Sequence, residues 1–194
     1  MARPHRTSSR SRRAAMPADW TFRPGPDEFA PYYARYIDRV PPGSLLHLLD
    51  EQLPTVLDAM DSVDEERAGH RYAEGKWSIR QVIGHIADTE RVMAYRALRI
   101  ARADATPLPG FDENPYVENA NFDQRSLLSL VDEWATARRA TIALFQGLDP
   151  HVQTRRGTAS DNPVSVRALA CIIHGHVDHH LAILRERYGV AAAD

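Results

Sequence analysis

Apolar residues recur every three or four positions through four long stretches of the chain, the spacing that lines one face of an α-helix. In the first, Leu45, Leu48, Leu49, Leu53, Val56, Leu57 and Met60 share a face behind Ser44, a good N-cap, and Pro54 predicts a kink. In the second, Ile79, Val82, Ile83, Ile86, Met93, Ala97 and Ile100 follow Ser78 and run to about residue 103. A third covers about residues 125–146 and stops at Gly147. The fourth starts near Ser165 and stops at Tyr188 and Gly189, glycine being the usual residue just past a helix end. Upstream, Phe29, Tyr32, Tyr33, Tyr36 and Ile37 recur at helical spacing within residues 27–40, in a proline-rich setting, and predict a short strap laid over something larger.

No stretch shows sustained period-two alternation, so strands are not expected. Four long helices predict an all-α fold, an up-down four-helix bundle preceded by the helical strap and interrupted by two long connecting loops. The first loop, residues 104–122, carries Pro107, Pro109, Gly110 and Pro115, yet its Phe111, Tyr116 and Phe122 predict that it packs over one end of the bundle. Phe111, Asp112, Glu113 and Asn114 are its candidates for lining a mouth. The second loop, residues 151–164, is similar in kind. Trp20, Trp77 and Trp134 read as packing anchors, with Trp77 placed to act as a hydrophobic staple before the second helix.

At 194 residues the chain suits one sizeable core, and residues 20–190 are read as a single domain. The longest unbroken apolar run, residues 168–173, is far short of the roughly 20 residues a membrane helix needs, so no membrane is expected as a partner. Arg3, Arg6, Arg10, Arg12 and Arg13 stand near the start with no acidic residue among them; taking those five charges from the formal net charge of −2 leaves −7 on the remainder. So acidic a body argues against nucleic acid as a partner. Residues 1–19 are read as a disordered Arg/Ser-rich tail, too polar for a secretory signal; an electrostatic tether, a transit peptide and a true start at Met16 are the readings open for it. The lone Cys171 excludes an internal disulfide and any multi-cysteine metal site, and fits a reducing cytoplasm. Metal chemistry in this chain has to use histidines and carboxylates.

Four of the nine histidines fall at positions 174, 176, 179 and 180, inside the fourth helix. With Leu169 as zero and about 100° per residue, His176 and His180 lie at about −20° and about +20°, within the apolar stripe. His174 and Asp178 fall at about 140° and about 180°, on the solvent side, and His179 at about −80°, on the flank. Two inward imidazoles one turn apart can present nitrogens to one ion; the alternative is a pair of core histidines satisfied by backbone or carboxylate partners. His85, on the shoulder of the second helix, supplies a third candidate ligand. Asp88 is a hydrogen-bond acceptor behind it or an alternative ligand, the latter giving the two-His, one-carboxylate pattern of non-haem iron. Three neutral imidazoles with an open position describe a catalytic site, which lowers the pKa of a bound water or holds a thiol as thiolate. The run from His176 to His180 has no Glu after its first His, which excludes an H-E-x-x-H metalloprotease, and neither a G-x-S-x-G elbow nor a phosphate-binding glycine loop is present.

The run KWSIRQVIGHIADTERVMAYRALRIARADATPLPGFDEN at residues 76–114, together with GTASDNPVSVRALACIIHGHVDHHLAILRERY at residues 157–188, resembles the DinB-like, or YfiT-like, metalloenzyme superfamily. The similarity extends over about residues 26–188. It implies a four-helix bundle in which one His of the second helix and an H-x-x-x-H pair of the fourth bind a divalent metal, often zinc or nickel. Here those positions are His85, His176 and His180. The superfamily includes S-transferases that use bacillithiol or mycothiol, a thiol-dependent maleylpyruvate isomerase, and many proteins known only by name as metal-dependent hydrolases. Homodimers are common among such families.

The leading functional expectation is therefore a metal-dependent S-transferase, in which a low-molecular-weight thiol of the bacillithiol type is held as thiolate and attacks a small electrophile. Arg96 and Arg99 are placed as receptors for the carboxylates of that thiol. The alternative within enzymes is hydrolysis by metal-bound hydroxide with Asp88 or His179 as base. A third expectation is a stress-induced binding module whose metal is structural. Cys171, turned away from the metal stripe, is expected to be inert.

Overall fold

A computed structural model of the chain describes residue 20 and residues 23–191. The tail expected at residues 1–19 lies outside them. The strap is broken where the sequence read it as one helical stretch. Two 3-10 turns, Pro26–Glu28 and Pro31–Tyr33, precede the short α1 (Ala34–Ile37). Pro31 holds Ala30 extended, at φ −63° and ψ 141°, and so separates the two turns. Then follow α2 (Leu45–Asp61), α3 (Glu65–Ala68), α4 (Ile79–Ala101), α5 (Glu113–Asn119), α6 (Leu127–Gln146), the strands β1 (Arg156–Ala159) and β2 (Asn162–Ser165), and α7 (Val166–Tyr188).

The four long helices begin and end where the sequence placed them. Ser78 accepts from the Gln81 N–H while the Gln81 side chain accepts from the Ser78 N–H, a reciprocal cap that satisfies two free donors at the start of α4. The Ser126 and Ser165 side chains accept from the N–H groups of Ser129 and Ala168 at the starts of α6 and α7, and Gly189 ends α7 in the left-handed conformation at φ 67°. Ser44 stands at the N-cap of α2 without a side-chain bond, and α2 continues through Pro54.

The bundle is ordered by contact as α2, α6, α4, α7 around a ring: α4 packs on α6 and α7, and α2 on the same two helices. The first and second long helices are thus diagonal, as are the third and fourth. The two diagonal crossings are made by residues 62–78 and 147–165, lengths that a turn between neighbouring helices would not need. The connection between neighbours α4 and α6 is longer still because it folds over the bundle as α5 and a 3-10 turn, Phe122–Gln124.

The expectation of no strands is corrected by one antiparallel hairpin, β1 with β2, paired Arg156 with Ser165 through Ala159 with Asn162. Its turn residues Ser160 and Asp161 both have positive φ, 51° and 60°, as the favoured two-residue hairpin turn requires. The usual Asn-Gly signal for that turn is missing here, and strands of four residues are too short to show alternation. Leu108 of the long connection bridges to the hairpin, its N–H donating to Thr158 O and its carbonyl accepting from Ser160 N–H. Among the described residues no helix is long and apolar enough to cross a membrane.

Candidate metal centre

α4 and α7 lie side by side, and each carries a glycine immediately before its first inward histidine. A Cβ on Gly84 would lie 2.5 Å from the Phe122 ring, and one on Gly175 would lie 1.9 Å from the Tyr36 carbonyl oxygen. Both helices are therefore bare at the level of the site, so that the long connection and the strap can close directly over it. His85 from α4 meets His176 and His180 from α7. The Nε2 atom of His176 is 3.0 Å from His85 Nε2 and 3.1 Å from His180 Nε2, and the three candidate ligand atoms lie within 4.8 Å of one another. Among the described residues this is the one group of three or more His, Cys, Asp or Glu side chains placed to share an ion.

All three rings are buried. Burial pushes His85 down to about 4, and burial together with the neighbouring imidazoles holds His176 and His180 well below the ordinary histidine range. The rings are neutral at pH 7, each with one nitrogen lone pair. A single Nε2 facing two others cannot bond well to both, because it is either a donor or an acceptor. A shared cation resolves this. A tetrahedral ion bonded at about 2.0–2.1 Å sets its nitrogens about 3.3 Å apart, close to the two separations from His176 Nε2. The donor set fits a divalent metal.

The walls are aromatic. The Trp77 ring stacks at a tilt on His85, centroids 4.8 Å apart, and Tyr36 meets His176 and His179 edge-on at 5.3 and 5.4 Å. A cavity of about 170 Å³ reaches His85 and His176 and is lined also by Tyr36, Thr89, Met93, Phe111, Glu113 and Ser160. A second, of about 260 Å³, reaches His180 and is lined by Trp77, Lys76, Asn114 and Tyr188. Along α4 the first takes His85, Thr89 and Met93 and the second Val82, so the triad is reached by two separate compartments of the α4/α7 seam. The consecutive residues Glu113 and Asn114 fall one on each side. A third cavity, of about 400 Å³ between α2 and α6, has no histidine or cysteine in its lining.

Of the mouth candidates, Phe111, Glu113 and Asn114 line these compartments, and Asp112 instead caps α5 by accepting from Asn114 N–H. Asp88 lines neither. It faces α6, paired with Arg91 at 3.5 Å and near Glu133, with its carboxyl raised chiefly by burial. His179 is half-buried against Tyr36 and His180 rather than in the cavity, and burial lowers it. Arg96 is buried, donating to Pro109 O at 2.7 Å and to Ser160 Oγ at 3.1 Å. Arg99 is engaged by Asp104 and the Tyr95 hydroxyl, outside both linings. Cys171 is buried and its thiol is pushed up to about 12 by that burial.

His174 corrects the helical-wheel reading. It is buried rather than solvent-facing, because α7 is enclosed by α2 and the strap as well as by α4. Gln52 Nε2 donates to the His174 carbonyl at 3.0 Å and to Asp178 Oδ1 at 2.6 Å, which turns that side of α7 toward α2. Sequence reasoning gave neither Tyr36 nor Thr89 a role at the site. Thr89 stands one turn after His85 on the same side of α4, which the helical period places; Tyr36 comes from a strap whose docking no local pattern specifies.

The fold and the buried triad define a four-helix-bundle protein with a three-histidine site suited to a divalent metal. The sequence profile of the DinB superfamily matches residues 48–184, and the chain belongs to that superfamily. Two proteins of Oceanobacillus iheyensis, each named "Putative metal-dependent hydrolase", are 24% identical over 66% of this chain and 74% of their own, and 28% identical over 68% and 77%. The structure of YfiT from Bacillus subtilis, described as "a probable metal-dependent hydrolase with an unusual four-helix bundle topology", superposes with a TM-score of 0.63 at 17% identity, over 88% of this chain and 95% of that one.

Proposed function

We propose that His85, His176 and His180 hold one divalent ion, zinc or nickel by their all-nitrogen donor set, and that the protein is a metal-dependent S-transferase joining a low-molecular-weight thiol to a small electrophile. The ion supplies Lewis acidity, lowering the pKa of a thiol or a water placed against it. The observation that carries the transferase reading is the pair of compartments that reach the triad, one lined by His85 and His176 and the other by His180, one for each reactant. Further support comes from the carboxylate and imidazole first considered as bases: Asp88 and His179 line neither compartment, so neither is placed to take a proton from a water there. Arg96 has no carboxylate within ion-pairing distance among the described residues, and its partner Ser160 lines the first compartment. A buried guanidinium in that position favours a reactant bearing a carboxylate. Arg99, already engaged by Asp104, has no part in this scheme.

The second reading is hydrolysis. It is favoured by the names of the two Oceanobacillus relatives and by Glu113, a carboxylate lining the same cavity as His85 and His176. A non-catalytic, stress-induced binder with a structural metal is the third. Metal-loaded protein given a chlorodinitroarene or an epoxide, with and without a thiol, separates them. Product that requires the thiol supports the transferase, product without thiol contradicts it, and metal removal that leaves turnover unchanged contradicts any role for the ion in catalysis.

A further inference from the structure

Thr89 stands on α4 one helical turn after His85 and lines the same cavity as His85 and His176. It is 4% exposed, and its Oγ1 has no hydrogen-bond partner among the described residues. Threonines inside helices ordinarily return the hydroxyl to a carbonyl one turn back, and Thr55 of α2 does so, Oγ1 donating to Glu51 O at 2.9 Å. Thr89 makes no such bond to its own helix. A buried hydroxyl left without a partner is destabilising unless something that enters the cavity bonds it.

We propose that Thr89 is the hydrogen-bond donor to an anionic small ligand drawn to the three-histidine site, and that it selects for ligands with an acceptor atom at that end. This rests on the metal reading above. The hydroxyl keeps the ligand's acceptor atom on the α4 side, against His85, whereas the phenolic hydroxyls of the same cavity, those of Tyr32, Tyr33 and Tyr36, come from the strap. Thr89→Val keeps the shape and removes the donor; Thr89→Ser keeps the donor.

The test uses cobalt-loaded protein titrated with azide and followed by its visible absorption. Wild type and Thr89→Ser are expected to bind azide alike, and Thr89→Val to bind at least tenfold more weakly with unchanged cobalt content. The melting temperature of metal-free Thr89→Val is expected to equal or exceed that of wild type, since no protein partner is lost. Equal azide affinity in Thr89→Val, or a lowered melting temperature, overturns the assignment while leaving the metal site intact. Failure of wild type to take up cobalt overturns both.

Discussion

Arg138 and Glu90 form a bidentate ion pair at 2.7 and 2.8 Å in the centre of the bundle, with side-chain exposures of 0% and 1%. Arg138 also donates to Leu49 O and to Gln52 Oε1, and Gln52 reaches Asp178, so a single polar cluster ties α2, α4, α6 and α7. Removing one partner leaves the other buried and unpaired. Arg138→Met is expected to cost about 3–5 kcal/mol in urea unfolding. The pair of exposed Arg91 with half-buried Glu133 provides the contrast, because Arg91→Ala should cost no more than about 1 kcal/mol. Equal small losses in both variants would show that the central pair is not what orders the helices.

The close seating of the strap on α7 gives a second expectation. Gly175→Ala must displace the Tyr36 backbone, and overpacking of this kind costs about 1–3 kcal/mol or more. Because Tyr36 walls the cavity, the variant should also show altered tyrosine fluorescence. An unchanged melting temperature would mean that the strap is only loosely docked.

Glu28 anchors the other end of that strap. Burial raises its carboxyl, but hydrogen bonds from Arg167, the Gly25 N–H and Ser165 outweigh it and bring it down to about 2. The folded pKa is below the ordinary value, so the stabilisation is complete above about pH 4.5 and is lost as pH falls toward about 2. Glu28→Gln is therefore expected to lose about 1–2 kcal/mol at pH 7 and to melt with a flatter acid limb in that window. Parallel acid limbs in variant and wild type would remove Glu28 from the account.

The thiol of Cys171, buried and pushed up to about 12, should react with a disulfide reagent only as fast as the protein unfolds. Cys171→Ala is expected to keep whatever turnover the wild type has. Rapid labelling of native protein would contradict its burial.

The helix limits were legible because capping is local: Ser78, Ser165 and Gly189 announce themselves within a few residues. The inward face of His176 and His180 followed from helical period alone. What the period could not give was the number of sides on which α7 is covered, and so His174 was placed in solvent. The ring order of the bundle was equally hidden, since diagonal and neighbouring connections of similar length look alike in sequence. The Ser160–Asp161 turn escaped because its backbone conformation is imposed by the hairpin and by Leu108 rather than by a residue that prefers it. Thr89 shows a different limit: its position was plain, but only the absence of a hydrogen-bond partner among the described residues marks it.

The most direct measurement is the metal content of protein purified without a chelating tag, for wild type and for His85→Ala, His176→Ala and His180→Ala, with helicity checked by circular dichroism. The expected result is about one divalent ion per chain in wild type and a loss of at least tenfold in each variant at unchanged helicity. Full metal content in His85→Ala would contradict a centre shared between α4 and α7.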